Sequence, residues 1–262
     1  MLRSFATLFC TLTGTLVLGP IAIVVLPLER SGRWLKRLQR WWGRWILFGA
    51  GVRIAPLEGA EHLLPGQRQL FVANHQSLLD IPVLFAALPV PVVMAAKKEL
   101  FRIPLFGWMM YAARFPKIDR ANPDAAKQAL QRSAERLRGT GVSVVLFPEG
   151  TRSRDGSVAA FKKGAFFVAR DLGIPLVPVA LAGTGAALRK GSLRVRASCV
   201  RLRFQPALDP RGRAEEERDA VMEEARARVL AALAELEAAR PRGASEGNAS
   251  TSSSATRGPS AG

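Results

Sequence analysis

The sequence LFVANHQSLLDIPVLF, at residues 70–85, decides the fold around which the rest of the chain is built. Its first four residues form an apolar run that is typical of a buried β-strand. Its end, Ile81–Phe85, predicts an α-helix with a proline in the first turn. A turn from Asn74 to Asp80 therefore joins a strand to a helix. Because the chain contains only one other histidine, His75 in this turn is the first candidate for a general base at neutral pH.

The spacing of His75 and Asp80 limits how their side chains can meet. On a regular helix it would separate them by about 140°, so a direct contact requires a bend. In such a turn the carboxylate would accept a hydrogen bond from Nδ1–H and leave Nε2 free to take a proton. The alternative is that Asp80 caps the following helix and His75 is an ordinary loop histidine. Ser77 lacks the G-x-S-x-G setting of a nucleophile, which disfavours a serine hydrolase.

Strand and helix patterns alternate on both sides of this turn. Apolar or alternating runs predict strands at Gln69–Ala73, Pro91–Ala96, Ser143–Phe147, Ile174–Leu181 and Leu193–Phe204. Amphipathic runs predict helices at Ala126–Arg138 and Glu215–Ala239. This alternation predicts the α/β class, as a single domain with a mostly parallel central sheet flanked by helices. Membrane-associated helices at the N-terminus are expected to precede the domain.

Local details refine this prediction. Pro175 and Pro178 favour a sheet edge or a strand end over the sheet centre, since proline cannot donate to a ladder. The alternation of the last strand shifts near Cys199–Val200, which predicts a bulge or bend. The final residues are rich in Gly, Ser and Ala and have little apolar surface to bury. We therefore expect N-terminal membrane or interfacial helices, the α/β domain and a disordered tail, at residues 1–48, 49–240 and 241–262.

The charge balance narrows the choice of partner. The net charge is +17, and residues 1–208 hold 30 basic against 11 acidic residues. Such a field attracts an anionic membrane surface, phosphorylated substrates or nucleic acid. An apolar fraction of 48% with five tryptophans favours the membrane. Two separated histidines and two remote cysteines form no metal-binding pattern, and no P-loop or G-x-G-x-x-G is present, so we expect neither a metal nor a cofactor.

Two N-terminal stretches carry the membrane prediction. Phe5–Leu28 is almost uncharged and long enough, at ~1.5 Å per residue, to cross a ~30 Å hydrocarbon core. Gly14, Gly19 and Pro20 leave a bent or re-entrant helix pair as an alternative. Residues 33–48 then predict a helix lying in the headgroup layer. Its aromatic face is Trp34, Leu38, Trp41, Trp45 and Phe48, and its basic residues, on the roughly opposite face, are Arg33, Lys36, Arg37, Arg40 and Arg44.

The placement of these basic residues sets an expected orientation. They follow the apolar run, which predicts that this flank and the rest of the chain lie on the cytoplasmic side. Because the aromatic residues are segregated from the basic residues and do not interleave with them, nucleic-acid binding is disfavoured. The alternative for residues 33–48 is a core helix with a solvated basic face.

A second stretch with chemical potential is FPEGTRS at residues 147–153. It follows an apolar strand, and ligands of open α/β sheets bind at the carboxyl ends of strands. Glu149, Thr151 and Arg152 offer a carboxylate, a hydroxyl and a guanidinium, whose planar fork can bond two phosphate oxygens. Basic residues at Lys97–Lys98 and in a third stretch, KIDR, could hold the same phosphate. For each of these stretches the alternative is a turn or surface with solvated charges.

Taken together, these stretches resemble the glycerolipid acyltransferases, specifically the bacterial 1-acyl-glycerol-3-phosphate acyltransferases. The similarity lies in four blocks in the same order: NHQSLLD at 74–80, FPKIDR at 115–120, FPEGTRS at 147–153 and IPLVPV at 174–179. It extends from about residue 50 to residue 205. The chain departs from the family at Arg114, where the second block usually opens with glycine.

The resemblance implies a reaction and its participants. His75, oriented by Asp80, would deprotonate the free sn-2 hydroxyl of lysophosphatidic acid. That oxygen would attack the thioester of acyl-ACP or acyl-CoA, forming phosphatidic acid directly, with no acyl-enzyme and no cofactor. The implied setting is the membrane, on the cytoplasmic face of the bacterial inner membrane. The residues that the resemblance implies in substrate binding are Lys98, Arg120, Glu149, Gly150, Thr151 and Arg152.

Two other functions remain open at this point. The same motifs could serve an acyltransferase for another lyso-lipid or for glycerol 3-phosphate. A non-enzymatic basic protein that binds membranes or nucleic acid would also explain the net charge. That second function, however, leaves the pairings of His75 with Asp80 and of Glu149 with Arg152 without a purpose.

Overall fold

In the computed structural model of the chain, which describes residues 1–119, 123–211 and 213–239, strands and helices alternate as predicted. The helices are α1 Leu2–Val25, α2 Arg33–Ala50, α3 Asp80–Ala87, α4 Phe106–Ala112, α5 Pro123–Leu137, α6 Gly164–Leu172, α7 Thr184–Ala187 and α8 Arg218–Ala238. The strands are β1 Val52–Ile54, β2 Leu70–Ala73, β3 Val92–Met94, β4 Ala96–Lys97, β5 Lys117–Ile118, β6 Ser143–Leu146, β7 Leu176–Ala182 and β8 Ser198–Phe204. The tail predicted to be disordered, residues 241–262, lies outside the described residues.

The central sheet has six strands in the order β1-β8-β7-β2-β6-β3. Every neighbouring pair is parallel except β7 and β8, so the predicted, mostly parallel sheet is confirmed. A separate parallel pair, β4 and β5, follows the carboxyl end of β3. Because β2, β6 and β7 run in the same direction, the loops that follow them meet at one edge of the sheet.

Helices cover both faces of this sheet, and β2 divides its side chains between them. Leu70 and Val72 pack into a core layer with α6 and α8. Phe71 and Ala73 pack into the opposite layer with α2 and α3. All four residues are fully buried, which explains why the strand is a continuous apolar run without alternation.

Of the two placements that Pro175 and Pro178 predicted for themselves, a sheet edge or a strand end, the sheet edge is wrong. β7 lies inside the sheet, between β8 and β2. Pro175 precedes the strand, and Pro178 falls where the ladder with β8 ends, since that ladder begins at Val179. The carbonyl of Pro178 still accepts a hydrogen bond from the backbone N–H of Gln205 at 2.9 Å. The missing N–H of this proline therefore falls at the end of the ladder and not within it.

The last strand is shorter than predicted. β8 begins at Ser198, and its register with β7 is continuous from Arg201 to Phe204. The pairing of β8 with β1 is also continuous through Cys199 and Val200, so of the bulge or bend that we predicted there, the bulge is not formed. Residues 188–197, before the strand, form a loop.

The first helix is continuous through its glycines and its proline, so the bent or re-entrant pair is not formed. Of the described helices, α1 with the 3₁₀ turn after it, residues 2–28, is the one long and apolar enough to cross a membrane by length and composition, with a mean hydropathy of 2.2. It packs against α2 in antiparallel orientation through small residues. A Cβ on Gly14 would lie 3.1 Å from Trp45, and one on Gly49 would lie 2.7 Å from Cys10. These glycines allow the close approach of the two helices.

The second helix has three faces, and the predicted opposition of its aromatic and basic residues is wrong. One face is buried against α3 and the sheet, with Ile46 and Leu47 in the core. The aromatic residues are exposed, with Trp41 at 72% and Phe48 at 75%. At ~100° per residue, the mean direction of these aromatic side chains around the helix axis lies only about 80° from that of the arginine side chains. The arginines are Arg33, Arg37, Arg40 and Arg44. Aromatic and basic residues therefore form one continuous solvent-facing surface.

Lys36 does not belong to the exposed basic face. Its amine donates hydrogen bonds to the carbonyls of Phe85 and Leu88 at the end of α3. Burial, together with the nearby positive charges of Arg40 and Arg44, lowers the pKa of Lys36 to about 8. This lysine therefore helps to hold α2 against α3.

Candidate active site

The turn between β2 and α3 folds around one carboxylate oxygen. Oδ2 of Asp80 lies 2.7 Å from Nδ1 of His75. The same oxygen accepts hydrogen bonds from the backbone N–H groups of Gln76 at 2.8 Å and Ser77 at 2.9 Å. The bend that the five-residue spacing requires is therefore present, and the predicted contact is confirmed. Asp80 is the first residue of α3 and is fully buried, so this charge interacts with the turn and not with solvent.

The imidazole of His75 is held in one orientation from three directions. Nδ1 contacts Asp80, and the ring stacks on Phe147, with centroids 4.0 Å apart and planes inclined by 14°. The backbone N–H of His75 donates to Glu149, and its carbonyl accepts from the N–H of Ser153 at 2.7 Å. Among the described residues, nothing bonds to Nε2. The ring therefore has the arrangement of a general base, with one nitrogen engaged by a carboxylate and the other free.

Glu149 connects the two motifs that the sequence singled out. Oε1 accepts the backbone N–H of His75 at 2.7 Å, and Oε2 accepts that of Ala159 at 3.0 Å. The residue is buried, and this burial raises the pKa of its carboxyl, although the two backbone donors act in the opposite direction. Both oxygens are thus committed to backbone groups. This geometry differs from the acceptor contact that the family resemblance implies for Glu149.

Asn74 holds the start of the turn that carries His75, a role that was not predicted for it from the sequence. Its side-chain amide donates to the carbonyl of Leu181 at 2.9 Å and accepts from the N–H of Leu181 at 2.8 Å. The amide thereby extends the pairing of β2 and β7 by one residue. Ser77 connects the same turn to the segment after α7, because its Oγ donates a hydrogen bond to the carbonyl of Leu188 at 2.8 Å. The sequence does contain a signal for this role, because Asn74 is a polar residue placed directly after the apolar run of β2.

The turn after β6 brings further basic side chains to the site. Gly150 has a φ of +74°, in the left-handed region that favours glycine, and Nζ of Lys162 lies against it, 2.7 Å from where a Cβ would stand. Nζ of Lys190 donates to Oγ1 of Thr151 at 3.1 Å and to the carbonyl of Arg152. Within the described part of the chain, the guanidinium of Arg152 has no partner. Lys162 and Lys190 were missed because they approach from distant segments.

The remaining predicted binding residues lie on the β4–β5 side. Lys98 begins a 3₁₀ turn and forms an ion pair with Asp119, so its charge is already partly compensated. Arg120 lies outside the described residues. Arg114, the departure from the family pattern, has a φ of 60°, in the left-handed region that glycine favours. The backbone at this position therefore has the conformation suited to glycine, despite the larger residue.

The site combines a candidate base, His75, with several basic side chains. In the described ranges, no group of three or more His, Cys, Asp or Glu side chains could hold a metal ion. Ser77 is buried, and its hydroxyl is bonded to the backbone of Leu188 and Leu79. It is therefore unsuited to act as a nucleophile, and the chemistry available to the site is proton transfer beside a place for an anion.

A histidine–aspartate turn lies beside a basic turn at the carboxyl edge of this α/β sheet, which indicates a domain that transfers a chemical group. Known proteins with similar sequences agree with this class. Residues 55–182 match the Acyltransferase family model. The chain is 31% identical to the 1-acyl-sn-glycerol-3-phosphate acyltransferase of Haemophilus influenzae over 70% of this chain and 75% of that protein. It is 34% identical to that of Cocos nucifera over 78% of this chain and 66% of that protein. The chain belongs to the 1-acyl-sn-glycerol-3-phosphate acyltransferase family.

A solved structure supports the same assignment. The crystal structure of the 1-acyl-sn-glycerophosphate (LPA) acyltransferase from Thermotoga maritima matches with a TM-score of 0.71 and 28% sequence identity. The match covers 92% of this chain and all of that one, so the N-terminal helices belong to the shared fold. The chain spans 56–66% of the length of three of the curated relatives that it matches, those of Cocos nucifera, Limnanthes douglasii and Limnanthes alba.

Replacing Glu149 with glutamine tests whether this residue positions His75 or binds the acceptor. Glutamine offers one acceptor atom and one donor group, so either His75 or Ala159 loses its hydrogen-bond partner. A lost buried hydrogen bond costs ~1–3 kcal/mol, so we expect kcat to fall about tenfold with little change in the acceptor KM. Steady-state kinetics measures this split, with the exposed Glu216→Gln as the matched control. A raised acceptor KM at unchanged kcat would make Glu149 an acceptor-binding residue.

Proposed function

We propose that the chain transfers a fatty acyl group from a thioester donor to the free sn-2 hydroxyl of lysophosphatidic acid, forming phosphatidic acid. The observation that carries this proposal is the His75–Asp80 pair. Among the described residues, nothing bonds to Nε2 of His75 or to the guanidinium of Arg152, and both residues lie in turns at the same sheet edge. Membership of the family supports the acyl transfer, and the basic turn supports a phosphorylated acceptor. Acylation of glycerol 3-phosphate or of another lyso-lipid is the alternative.

The proposed reaction uses His75 as base and then as acid. Nε2 takes the proton from the acceptor hydroxyl, and Asp80 stabilises the imidazolium that results. The acceptor oxygen forms a bond to the thioester carbonyl, giving a tetrahedral intermediate. When this collapses, the carbon–sulfur bond breaks and the leaving thiolate receives the proton from Nε2. The commitment of the Ser77 hydroxyl to backbone groups supports direct transfer without an acyl-enzyme.

Phosphate binding is proposed for the turn after β6. The planar guanidinium of Arg152 suits two phosphate oxygens, and Lys162 adds charge above Gly150. Gly150 and Thr151 form part of this turn, and Lys190 stabilises it by donating a hydrogen bond to Thr151. Lys98 and Arg120 remain proposed contributors from the other side. For Lys98, an arriving phosphate would compete with Asp119 for the ammonium group.

The proposed partners are a lipid bilayer and an acyl-ACP or acyl-CoA donor. The surface of α1 that faces away from α2 carries exposed apolar residues such as Phe9 at 62% and Leu16 at 63%. The exposed aromatic and basic residues of α2 extend this surface, a combination suited to the boundary between headgroups and acyl chains. We propose that the enzyme acts on the cytoplasmic face of a bacterial inner membrane, where both the acceptor and the product would reside.

Arg152→Ala tests the phosphate assignment. Hydrogen bonds to charged groups contribute ~1.5–3 kcal/mol, so we expect the KM for lysophosphatidic acid to rise about 10- to 100-fold. The KM for the acyl thioester should change little, because the donor does not use this arginine. Steady-state kinetics with each substrate varied in turn measures both constants, and Arg132→Ala, at an exposed arginine on α5, is the matched control. A larger change in the donor KM would reassign Arg152 to the donor.

A single assay tests the function as a whole. The purified chain is incubated in lipid vesicles with lysophosphatidic acid, glycerol 3-phosphate or another lyso-lipid, each combined with acyl-ACP or acyl-CoA. The proposal requires phosphatidic acid as the main product with at least one donor. Preferential acylation of another acceptor would replace the substrate, and salt-sensitive binding to DNA without any acyl transfer would reject the enzymatic function.

A further inference from the structure

The loop between α7 and β8 presents an isolated leucine among basic residues. Leu193 is 90% exposed, more than any other large apolar side chain in the described part of the protein. Its neighbours along the chain are Arg189, Lys190, Arg194 and Arg196, and no acidic residue occurs from 184 to 200. One exposed leucine is common on protein surfaces. A leucine flanked by four cationic residues, however, suits a surface on which anionic groups lie over an apolar layer.

This loop is anchored on both sides of Leu193, so its exposure is not the result of an irregular chain. Val195 is buried in the core layer of α2 and α3. The N–H of Arg194 donates to Oγ of Ser192 at 3.0 Å, and that of Arg196 donates to the carbonyl of Ala187 at 2.8 Å. The fold therefore fixes the backbone of the loop and directs Leu193 outward.

The loop is also continuous with the apolar surface of α1. The N–H of Val195 donates to Oγ of Ser4, in the first turn of α1, at 3.0 Å. The helix residues on either side of Ser4 include Leu2, which is 84% exposed, and Phe5, which is 67% exposed. The exposed leucine of the loop thus adjoins the end of the helix that carries the proposed membrane-facing surface.

The same loop is tied to the catalytic turn. Ser77 donates to the carbonyl of Leu188, and Lys190 donates to Thr151, so both motifs of the site contact the segment that leads into the loop. Anything that binds Leu193 and its arginines would therefore lie beside the active site. Since the proposed acceptor is a lipid, a bilayer at this place would present the acceptor to the site.

We propose that the loop from Arg189 to Arg196 is a membrane contact, in which Leu193 enters the acyl boundary of an anionic bilayer and the arginines bind its headgroups. This inference rests on the proposed function, because it assumes an acceptor presented by a bilayer. With α1 and α2 as one contact and the loop as another, the protein has a fixed orientation on the membrane. The active site then faces the bilayer.

Vesicle binding by the full chain tests this contact. Vesicles are made of phosphatidylcholine alone or of phosphatidylcholine with the anionic lipid phosphatidylglycerol. We expect Leu193→Ser to weaken partitioning about tenfold on both vesicle types, as expected for losing a buried leucine. The double variant Arg194→Ala with Arg196→Ala should weaken it about 25-fold on anionic vesicles only, at about fivefold per arginine.

Two matched variants control for loss of apolar surface and of charge. Leu230→Ser alters a partly exposed leucine on α8. Arg211→Ala with Arg213→Ala removes the same charge from the loop before α8, which lies at the opposite edge of the sheet from the site. We expect both controls to bind vesicles like the wild-type chain. If Leu193→Ser and the Arg194 and Arg196 variant also bind like wild type, the proposal is overturned.

Activity assays separate this inference from the proposed function. On a short-chain lysophosphatidate kept below its critical micelle concentration, the loop variants should retain wild-type kcat, whereas on vesicle-presented acceptor they should lose activity in proportion to binding. Equal loss on both acceptors would make the loop part of the catalytic structure and overturn the proposal. So would unchanged vesicle binding with a raised KM for an acyl-ACP donor, which would identify a docking surface for the carrier. A wild-type chain inactive on both acceptors would reject the proposed function, while vesicle binding would still decide the role of the loop.

Discussion

His75→Ala is expected to reduce acyl transfer by about 10³-fold or more, because general base catalysis typically contributes ~10²–10⁴-fold and no other described side chain can take its place. The ring has one nitrogen engaged by Asp80 and the other without a described partner. Its removal leaves the hydroxyl of the acceptor protonated at the moment of attack. The measurement is kcat for product formation by the purified variant in vesicles.

The fold should survive this substitution. The backbone N–H and carbonyl of His75 keep their bonds to Glu149 and Ser153, and the ring contributes mainly its stacking on Phe147. We therefore expect a thermal midpoint within a few degrees of wild type, and His75→Gln serves as a second variant of similar size. A variant that is folded and retains wild-type rates would make His75 a structural residue.

Asp80→Asn is expected to lower kcat about 10⁴-fold, the loss seen when a carboxylate that orients a catalytic imidazole is converted to an amide. An amide at this position has no charge to stabilise the imidazolium. Its NH₂ group cannot accept the three N–H donors that now share Oδ2 of Asp80. The KM values should change far less than kcat, because Asp80 is fully buried and does not contact a substrate.

Asp219→Asn, at an exposed carboxylate on α8 that pairs with Lys163, is the matched control and should leave kcat unchanged. Because Asp80 also organises the turn, stability is measured alongside activity. A folded Asp80→Asn variant with unchanged kcat would show that the capping interpretation of this aspartate is sufficient. An unfolded variant would direct the test to Asp80→Glu, which keeps the charge and should retain part of the rate.

The class of fold and the contact within the catalytic turn could be predicted because their signals are local. The apolar run of β2 and the spacing of His75 and Asp80 lie within a few residues of one another. By contrast, the bonds from Glu149 to His75 and from Asn74 to Leu181 join residues 74 and 107 positions apart. They depend on which strands lie side by side, and the local patterns of a sequence do not reveal that order.

Local signals also left one placement open and misassigned one set of faces. Pro178 indicated either a sheet edge or a strand end, and the structure places it at the end of the ladder with β8, inside the sheet. For α2, amphipathicity separated aromatic from basic residues, whereas packing added a third face that carries Gln39 and Ile46. The amide of Gln39 bonds both backbone groups of Val92, completing the outer edge of β3.

This third face affects how the membrane role can be tested. Deleting residues 1–48 would remove Gln39, Ile46 and Leu47 and expose the core layer that they cover. A loss of activity after such a deletion would therefore not distinguish membrane binding from unfolding. Polar substitutions of exposed residues, as proposed for Leu193, leave the core intact and separate the two effects.

The most direct test of the account follows a radiolabelled acyl thioester in vesicles that contain lysophosphatidic acid, with the wild-type chain and His75→Ala compared side by side. After acid quenching at early times, the wild-type reaction should contain labelled phosphatidic acid and no labelled protein, and the variant should contain neither. Labelled protein before product would contradict direct transfer. Equal amounts of phosphatidic acid from both proteins would contradict the role of His75 as the base.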